Sequence, residues 1–275
     1  MTSGVGALWS HRDALRILVR RDLAVKYQQS VLGYFWSLIE PLGFGAIYWF
    51  VFGVLYERDT SRHLGEAADS YPLFLLTGIF AWMWTSSALG EATNALTGQA
   101  RLITTMNIPR QVFPIGRVAG RVAEYAAGLP ILVAVAVAYA VAGRVDLGWS
   151  VLVLPLAVAV QGVLLVGLAL LLSAANVLMR DVERFMRLVV RVLFYATPII
   201  YPLSLVRDSA LPGWLRTAYE LNPLVGIFQL HHSVWYPDEF PGARLLATTV
   251  AGSLLVFAVG WWTFRRLEPA VLKEL

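Results

Sequence analysis

The sequence predicts an all-α membrane protein with six transmembrane helices, an N-terminal amphipathic interfacial helix, and re-entrant outer-side helices between spans 5 and 6. The chain of 275 residues is 58% hydrophobic, with a mean hydropathy of +0.63, well above a typical soluble domain. Four long stretches carry no Asp, Glu, Lys or Arg: 70–90, 125–143, 147–179 and 245–264. About 20 apolar helical residues cross a hydrocarbon core roughly 30 Å thick, so each stretch is long enough to span a bilayer.

The predicted spans take up nearly the whole chain, which predicts a single membrane domain. Residues 1–33 are expected to form a cytoplasmic amphipathic segment, and residues 34–275 the six-span domain. The spans are placed at about 34–56, 71–90, 117–142, 149–175, 187–203 and 244–264. We expect no signal peptide, because the first apolar run begins only near Tyr34 and no small-residue cleavage site follows it.

The basic residues predict the orientation of the chain. Of the 22 Lys and Arg residues, 16 lie before the first span, around the second-to-third and fourth-to-fifth connections, and after the last span. The other 6 lie in the remaining connections. Basic loops stay on the cytoplasmic side, so both termini are expected in the cytoplasm. This distribution explains the net charge of +4 without nucleic acid as a partner.

The segment 8–33 has the pattern of an amphipathic helix. Four apolar side chains share one helical stripe: Leu15, Leu18, Val19 and Leu23. Three arginines recur at every fourth position: Arg12, Arg16 and Arg20. Such a helix lies in the headgroup layer with its arginines toward lipid phosphate. The alternative is a helix solvated by the cytosol.

The stretch 198–241 is too apolar for a solvated loop and too broken for a spanning helix. It holds six of the 13 prolines, and 221–237 has no formally charged residue. Backbone groups without helical partners are tolerated at membrane depth only where protein or a cavity surrounds them. Short re-entrant helices on the outer side are therefore predicted, and the alternative is an interfacial lid with an aromatic belt.

Several kinds of site are excluded or disfavoured. Cysteine is absent, which excludes disulfides, thiolate metal sites and a Cys nucleophile. Neither Lys26 nor Lys273 is followed by Ser or Thr, so no P-loop is present and no nucleotide cofactor is expected. His231 and His232 are adjacent and point in different directions on a helix, so outer-surface positions are favoured over a metal or catalytic role.

Few ionisable residues fall inside the predicted spans. Glu40 lies about 9 Å inside the first span at 1.5 Å per residue. Arg121 and Glu124 are spaced so that they can pair at i, i+3. Both sites lie near cytoplasmic ends, where snorkelling lowers the cost of a charge, so anchoring or helix pairing is favoured. A proton relay is disfavoured because no acidic residue lies at the centre of a span.

Five motifs occur in the order found in one transporter family. The first is the segment 21–36, RDLAVKYQQSVLGYFW, which runs into Glu40-Pro41. The others are NIPR at 107–110, MRDV at 179–182, PIIYP at 198–202 and LNPL at 221–224. Together they resemble the ABC-2 type permeases, and more narrowly the subfamily that exports O-antigen, capsule and teichoic acid chains.

This resemblance implies a homodimer of six-span subunits in the inner membrane, bound to two copies of a separate ABC ATPase subunit. The chain itself would then be a transport subunit and not an enzyme. The implied cargo is a polysaccharide on a polyprenyl diphosphate lipid. Arg outnumbers Lys by 20 to 2, and Ala, Val and Gly are abundant, which resembles actinobacterial proteins. In that group the matching exporter carries cell-wall galactan.

Three sets of residues are candidates for function under this resemblance. Coupling to the ATPase is expected of cytoplasmic loop residues: Leu102, Ile103, Met106, Asn107, Ile108, Arg180 and Asp181. The substrate path and gate are expected to include Trp36, Glu40, Tyr48, Tyr201 and Asn222. Contacts to the lipid diphosphate are expected of three arginines, whose forks match phosphate oxygens: Arg16, Arg20 and Arg21.

Each of these expectations has an alternative. The 98–110 loop would pack on its own bundle, the aromatic residues would form interface belts, and the arginines would only hold anionic lipid. A drug or lipid ABC-2 permease shares the broken outer region, although the basic N-terminal motif fits it less well. A membrane-embedded glycosyl- or acyltransferase would need an acidic pair or a His base. The close cytosolic pair, Asp181 and Glu183, is flanked by Arg180 and Arg184, which indicates salt bridges instead.

Overall fold

The computed structural model describes residues 12–27, 30, 33–55, 69–105 and 108–274. All the regular elements in these ranges are helical, and the predicted all-α class is confirmed. They are α1 (Arg12–Tyr27), α2 (Trp36–Tyr48), α3 (Tyr71–Thr93), α4 (Ala100–Thr105), α5 (Val112–Val141), α6 (Val153–Leu178), α7 (Asp181–Tyr195), α8 (Leu203–Arg207), α9 (Gly213–Glu220), α10 (Pro223–His232) and α11 (Ala243–Glu274). A π-helical stretch, Trp49–Leu55, continues α2, and short 3₁₀ turns cover Gly33–Phe35, Thr97–Gln99, Trp149–Leu152 and Pro237–Glu239.

Five of the described helical stretches are long and apolar enough to cross a membrane. They are Leu38–Leu55, Tyr71–Thr93, Val112–Val141, Trp149–Leu178 and Ala243–Glu274. They correspond to predicted spans one, two, three, four and six. The last of them runs well past residue 264, so that its C-terminal part extends beyond the predicted span.

The predicted fifth span, 187–203, falls on α7. This helix has 15 residues, about 22 Å at 1.5 Å per residue, which is short of a hydrocarbon core roughly 30 Å thick. It ends before Pro198, which has no N–H to donate and disfavours helical geometry at Thr197. The described residues therefore do not confirm six spans, and the count stays a prediction.

Helix α3 lies at the centre of the bundle. Its apolar window is 72% buried, against 11% to 39% for the other four spans. It packs against α2, α5, α6, α7 and α10. Three of its threonines donate their hydroxyls to the carbonyl four residues earlier, which satisfies polar groups inside an apolar core: Thr77, Thr85 and Thr93.

Helices α6 and α11 pack closely because glycines face each other. A Cβ atom on Gly167 would lie 2.5 Å from the Cα of Phe257, and one on Gly260 would overlap the carbonyl of Gly167. A side chain at either glycine would push the two helices apart. The absence of Cβ atoms therefore sets the distance between α6 and α11.

The connections that carry most of the basic residues meet at one end of the bundle, here called the basic end. Arg117 of α5 pairs with Asp22 of α1 at 3.1 Å. Arg110, just before α5, pairs with Glu268 of α11 at 3.2 Å. The helix α1, the segment before α5 and the C-terminal part of α11 therefore share one end, as the charge asymmetry predicts. The assignment of this end to the cytoplasm stays a prediction.

The remaining connections meet at the opposite end. Arg144 donates to the carbonyl of Asp69 at 3.3 Å, and the Ser150 hydroxyl donates to the carbonyl of Val234 at 2.9 Å. The segments before α3, between α5 and α6, and after α10 therefore lie together. This end carries the segment with the short helices.

Within the predicted amphipathic helix over 8–33, the structure describes α1 over Arg12–Tyr27, and the predicted end at Gly33 lies in a 3₁₀ turn. Gly33 has a φ of +47°, a left-handed conformation that glycine adopts without strain. The 3₁₀ turn that begins at Gly33 leads directly into α2 at Trp36. Leu18 of α1 is 9% exposed and packs on the bundle, so α1 lies against protein as well as presenting charge outward.

The stretch 198–241 is divided into short helices as predicted. The Asn222 side chain accepts a hydrogen bond from the Leu224 amide at 3.1 Å, and Pro223 occupies the first turn, so α10 has a favourable N-terminus. Every residue from Leu224 to the end of α10 is buried, whereas α9 has no buried residue. The re-entrant placement of these helices in a bilayer stays a prediction.

Candidate functional site

Three neighbouring cavities lie beside α3, and the first of them is at the basic end. The charged cavity, about 590 Å³, lies between α1, α3, α5 and the segment 98–102. The constriction, about 90 Å³, and the aromatic cavity, about 460 Å³, come next along α3. Lys26, Arg121 and Glu124 line both the charged cavity and the constriction. Glu40 and Met83 line both the constriction and the aromatic cavity. The three cavities therefore form one candidate site.

Ionised side chains dominate the charged cavity. Its cations are Arg21, Lys26, Arg101, Arg117 and Arg121, and its carboxylates are Asp22, Glu91 and Glu124. The Arg121 side chain is 8% exposed and binds Glu91 and Glu124 together, which confirms the predicted Arg121–Glu124 pair. Lys26 reaches Glu124 at 2.8 Å. Each carboxylate thus neutralises a cation, and the lining keeps an excess of positive charge.

A single carboxylate serves two arginines at the wall of the charged cavity. Asp22 lies 2.9 Å from the guanidinium of Arg21 and 3.1 Å from that of Arg117. The two arginine side chains are 40% and 24% exposed, so both remain accessible. Guanidinium groups with this geometry bind oxyanions in a bidentate manner.

The aromatic cavity lies between α2, α3 and α7. The ring centroid of Phe194 in α7 lies 5.6 Å from the ring centroid of Tyr48 and 5.6 Å from that of Trp82. Arg187 and Arg191 of α7 line the same cavity. Aromatic faces bind apolar C–H surfaces, while the guanidinium groups donate hydrogen bonds, so the lining suits a ligand of mixed character such as a sugar.

The structure brings together most of the residues predicted for the substrate path. Glu40 and Tyr48 line the aromatic cavity, and Trp36 lines the constriction. The Tyr201 hydroxyl donates to the carbonyl of Tyr195, a lining residue of the aromatic cavity, at 2.7 Å. Asn222 is separate from this group, because its side chain caps α10.

The residues predicted to couple to an ATPase have different environments. Ile103 is 3% exposed and packs in a cluster with Leu18, Phe113 and Phe264, so its side chain supports the loop. Leu102 is half-buried and lines the charged cavity, and Ile108 is half-buried against the same cluster. Arg180 and Asp181 are exposed at the start of α7. Met106 and Asn107 lie outside the described residues.

The three arginines predicted to contact a diphosphate are not equivalent. Arg16 and Arg20 are exposed on α1, and neither lines one of the three cavities. Arg21 lines the charged cavity. The sequence did not indicate Arg101 or Arg117 for this role, because their approach to α1 depends on how the helices pack.

Comparison with known proteins identifies the family. The family described as ABC-2 type transporter matches residues 13–234. The chain belongs to this family. An O-antigen export system permease protein RfbA from Myxococcus xanthus is 27% identical over 252 residues, 92% of this chain and 91% of the relative. A protein of the same name from Klebsiella pneumoniae is 29% identical over 215 residues, 78% of this chain and 77% of the relative.

Family membership and the apolar helices together identify an integral membrane protein. ABC-2 permeases are transport subunits, and ATP hydrolysis belongs to separate ABC ATPase partners.

In this permease the acidic residue Glu183 pairs with Arg187 at 2.6 Å. One member of the acidic pair thus forms a salt bridge as expected, but its partner is Arg187 and not one of the flanking arginines, Arg180 and Arg184.

A buried polar network of the permease was missed in the sequence. His231 and His232, predicted at the outer surface, are no more than 1% exposed, so that prediction is wrong. The Nε2 of His231 lies 2.6 Å from the Oε1 of Gln161, and its Nδ1 lies 3.2 Å from the hydroxyl of Tyr125. Because Gln161 Nε2 also donates to the carbonyl of Ala81, at 2.9 Å, this amide links three helices. The signal was a lone Gln in the middle of an apolar span.

Proposed function

We propose that this ABC-2 permease is the membrane subunit of an ATP-driven exporter for a polysaccharide linked to a polyprenyl diphosphate lipid. The carrying observation is the set of cavities beside α3, in which the constriction adjoins a charged cavity on one side and an aromatic cavity on the other. A phosphate group matches the former and a sugar chain the latter. The relatives named as O-antigen export permeases support the polysaccharide class. Cell-wall galactan is the glycan we propose, on the basis of composition.

The glycan follows the aromatic cavity. Its C–H faces pack on Tyr48, Trp82 and Phe194, and its hydroxyl oxygens accept hydrogen bonds from Arg187 and Arg191. Such contacts tolerate successive sugar units, because each pyranose or furanose ring presents both kinds of surface. Trp36 and Glu40 border the entrance from the constriction. Tyr201 and Asn222 belong to the outer segment that opens for exit.

The working unit in this proposal is a homodimer with two ATPase subunits. Helix α7 presents a stripe of large apolar side chains that are 56% to 64% exposed: Phe185, Leu188, Val192 and Tyr195. Their spacing is that of a helix–helix seam. Because α7 also lines the aromatic cavity, a second copy on this stripe brings two such cavities around one path.

The basic end lies on the cytoplasmic side of the inner membrane in this proposal, and it binds the ATPase there. The loop 98–110, including Met106 and Asn107, and the start of α7 at Arg180 and Asp181 form the receiving surface. The packing of Ile103 in the apolar cluster supports this surface from the inside. Leu102 links it to the charged cavity.

Depletion of the permease in its host tests this function. We expect polyprenyl-linked polysaccharide to accumulate on the cytoplasmic leaflet and the mature surface polymer, measured by its galactose content, to fall. Re-expression of the wild-type chain should reverse both changes. If every lipid-linked glycan pool stays constant while drug or lipid efflux changes, the cargo is wrong and the permease belongs with the drug or lipid exporters.

A further inference from the structure

We propose that the charged cavity is a binding site for a phosphate or diphosphate headgroup, held by Arg21, Arg101 and Arg117 and by the amide of Gln99. Two sources share this chemistry, namely the diphosphate of a cargo lipid and the headgroup of an anionic phospholipid. The inference deepens the proposed function where the cargo lipid is the source, but its evidence is the cavity itself.

The charge of the lining selects an anion. Five cationic and three anionic side chains line the cavity, which leaves an excess of two positive charges. Arg121 is held between Glu91 and Glu124 and belongs to the wall. Arg21 and Arg117 share Asp22, so this pair of guanidinium groups carries one charge more than its carboxylate neutralises. A phosphate monoanion balances this pair, and a dianion balances the excess of two charges in the whole lining.

An unpartnered polar group marks the same cavity independently of the charges. Gln99 is 9% exposed and lines the cavity, and its Oε1 is buried without a hydrogen-bond partner in the described residues. A buried amide oxygen without a partner is costly, so it indicates a missing ligand. Rotation of this amide by half a turn presents its NH₂ group, which donates to an oxyanion.

The size and walls of the cavity also suit a headgroup. Its volume, about 590 Å³, is in the range of small-molecule sites. Gly98 and Gly120 line it, and a Cβ atom on either would meet no heavy atom within 4 Å. The space is therefore open because side chains are absent. Val25, which is 62% exposed, also lines the cavity and offers an apolar surface to a lipid tail.

Other ligand classes fit less well. A divalent cation would need free carboxylates, whereas Asp22, Glu91 and Glu124 are all paired with basic side chains. The described residues also contain no cluster of His, Asp and Glu that could hold a metal ion. A nucleotide would need a surface for its base, and the side chains that line this cavity include no aromatic ring.

The test is equilibrium binding to the purified permease–ATPase complex in phosphatidylcholine nanodiscs. The probes are farnesyl diphosphate, inorganic pyrophosphate and, as a neutral control, farnesol. We expect both anions to bind and farnesol to bind far more weakly. Arg21→Gln and Arg117→Gln should each weaken farnesyl diphosphate by about tenfold or more, because each removes a hydrogen bond to a charged group. Arg266→Gln, at an exposed arginine of the basic end outside the cavity, should leave binding unchanged.

Gly120→Leu supplies a test that alters no charge. The new side chain occupies the cavity and should lower the affinity by at least about tenfold, since it removes space that the headgroup needs. Gly90→Leu is the matched control, because Gly90 is exposed, lies outside the cavity and has open space around its Cβ position. Equal affinity in the wild type, Gly120→Leu and the two arginine variants would overturn the site.

Phosphatidylglycerol in the nanodiscs distinguishes the sources. If it displaces farnesyl diphosphate stoichiometrically, the occupant is a phospholipid headgroup; if it does not, the polyprenyl diphosphate is the occupant. The cellular depletion experiment is separate. Cavity-dependent binding with unchanged lipid-linked glycan pools would keep this site and remove the cargo assignment. Glycan accumulation with cavity-independent binding would keep the cargo and remove the site.

Discussion

The imidazole of His231 in α10 and the side-chain amide of Gln161 in α6 are joined by a hydrogen bond of 2.6 Å in the fully buried core. The amide of Gln161 also donates to Thr85 of α3 at 2.8 Å, so its oxygen faces His231 and accepts the imidazole N–H. The other ring nitrogen of His231 lies 3.2 Å from the Tyr125 hydroxyl, which donates to it when the imidazole is neutral. Both ring nitrogens of His231 therefore have a partner, and the side chain is part of the framework that fixes α10.

Replacement of either partner in this network should destabilise the protein. Gln161→Leu or His231→Phe leaves a buried polar group without a partner, which costs about 1–3 kcal/mol. The double variant should lose less than the sum of the two, because both changes remove the same bond. Thermal unfolding of the purified protein measures this. Strict additivity would show that the two side chains are not coupled.

The contact between α6 and α11 should not tolerate side chains. Gly167→Val or Gly260→Val should cost about 1–3 kcal/mol or more, because the new atoms meet the backbone of the opposite helix. We expect a loss of monodisperse protein in size-exclusion chromatography. Gly90→Ala, where the added Cβ has open space, should be neutral or slightly stabilising. Normal behaviour of the two valine variants would contradict the close packing.

Asn222 should act through the N-terminus of α10. Asn222→Ala removes the bond to the Leu224 amide and should lower stability by about 1 kcal/mol. Asn222→Ser keeps a capping oxygen and should restore most of it. Thermal stability and export should then change together. If export falls in both variants while stability is kept in Asn222→Ser, the side chain has a direct role in the gate.

The loop 98–110 allows docking to be separated from folding. Ile103→Asp should lower thermal stability, because it places a carboxylate among buried apolar side chains. Thr105→Trp changes an exposed position of α4 and should leave stability intact while it weakens recovery of the ATPase in pull-down. Full ATPase recovery with Thr105→Trp would place the docking surface elsewhere.

The orientation of the permease is open to cysteine labelling, since the native chain has no cysteine. Ala210→Cys, exposed near the end opposite the basic end, should react with a membrane-impermeant maleimide added to whole cells or spheroplasts. Gly98→Cys, exposed at the basic end, should react only after permeabilisation. The reverse pattern would invert the predicted topology.

Sequence reasoning located the long helices well because a charge-free apolar run is itself the cause of membrane insertion. The fifth span stays a prediction, because the helix in that region, α7, ends before Pro198 and carries arginines along its length. Sequence reasoning also identified the broken outer segment from its prolines.

The candidate site was predicted only in part. Tyr48 and Glu40 were named from an aromatic span and a lone charge, and both line the aromatic cavity. The charged cavity was not predictable, because it depends on contacts such as Lys26 with Glu124, which lie 98 positions apart. Ile103 was misleading for a related reason: an apolar residue in a basic loop serves equally well for docking or for internal packing.

Helix α11 reaches both ends of the permease as one element of 32 residues, about 48 Å at 1.5 Å per residue. Near one end Glu268 is paired with Arg110, beside the loop that we expect to meet the ATPase. Further along, Thr249 lies against Gly226 of α10, where a Cβ atom would overlap its side chain. Helix α11 therefore connects the segment around Arg110 with α10. We therefore expect a displacement of the segment around Arg110 to reach α10 along α11, without passing through the central helix α3.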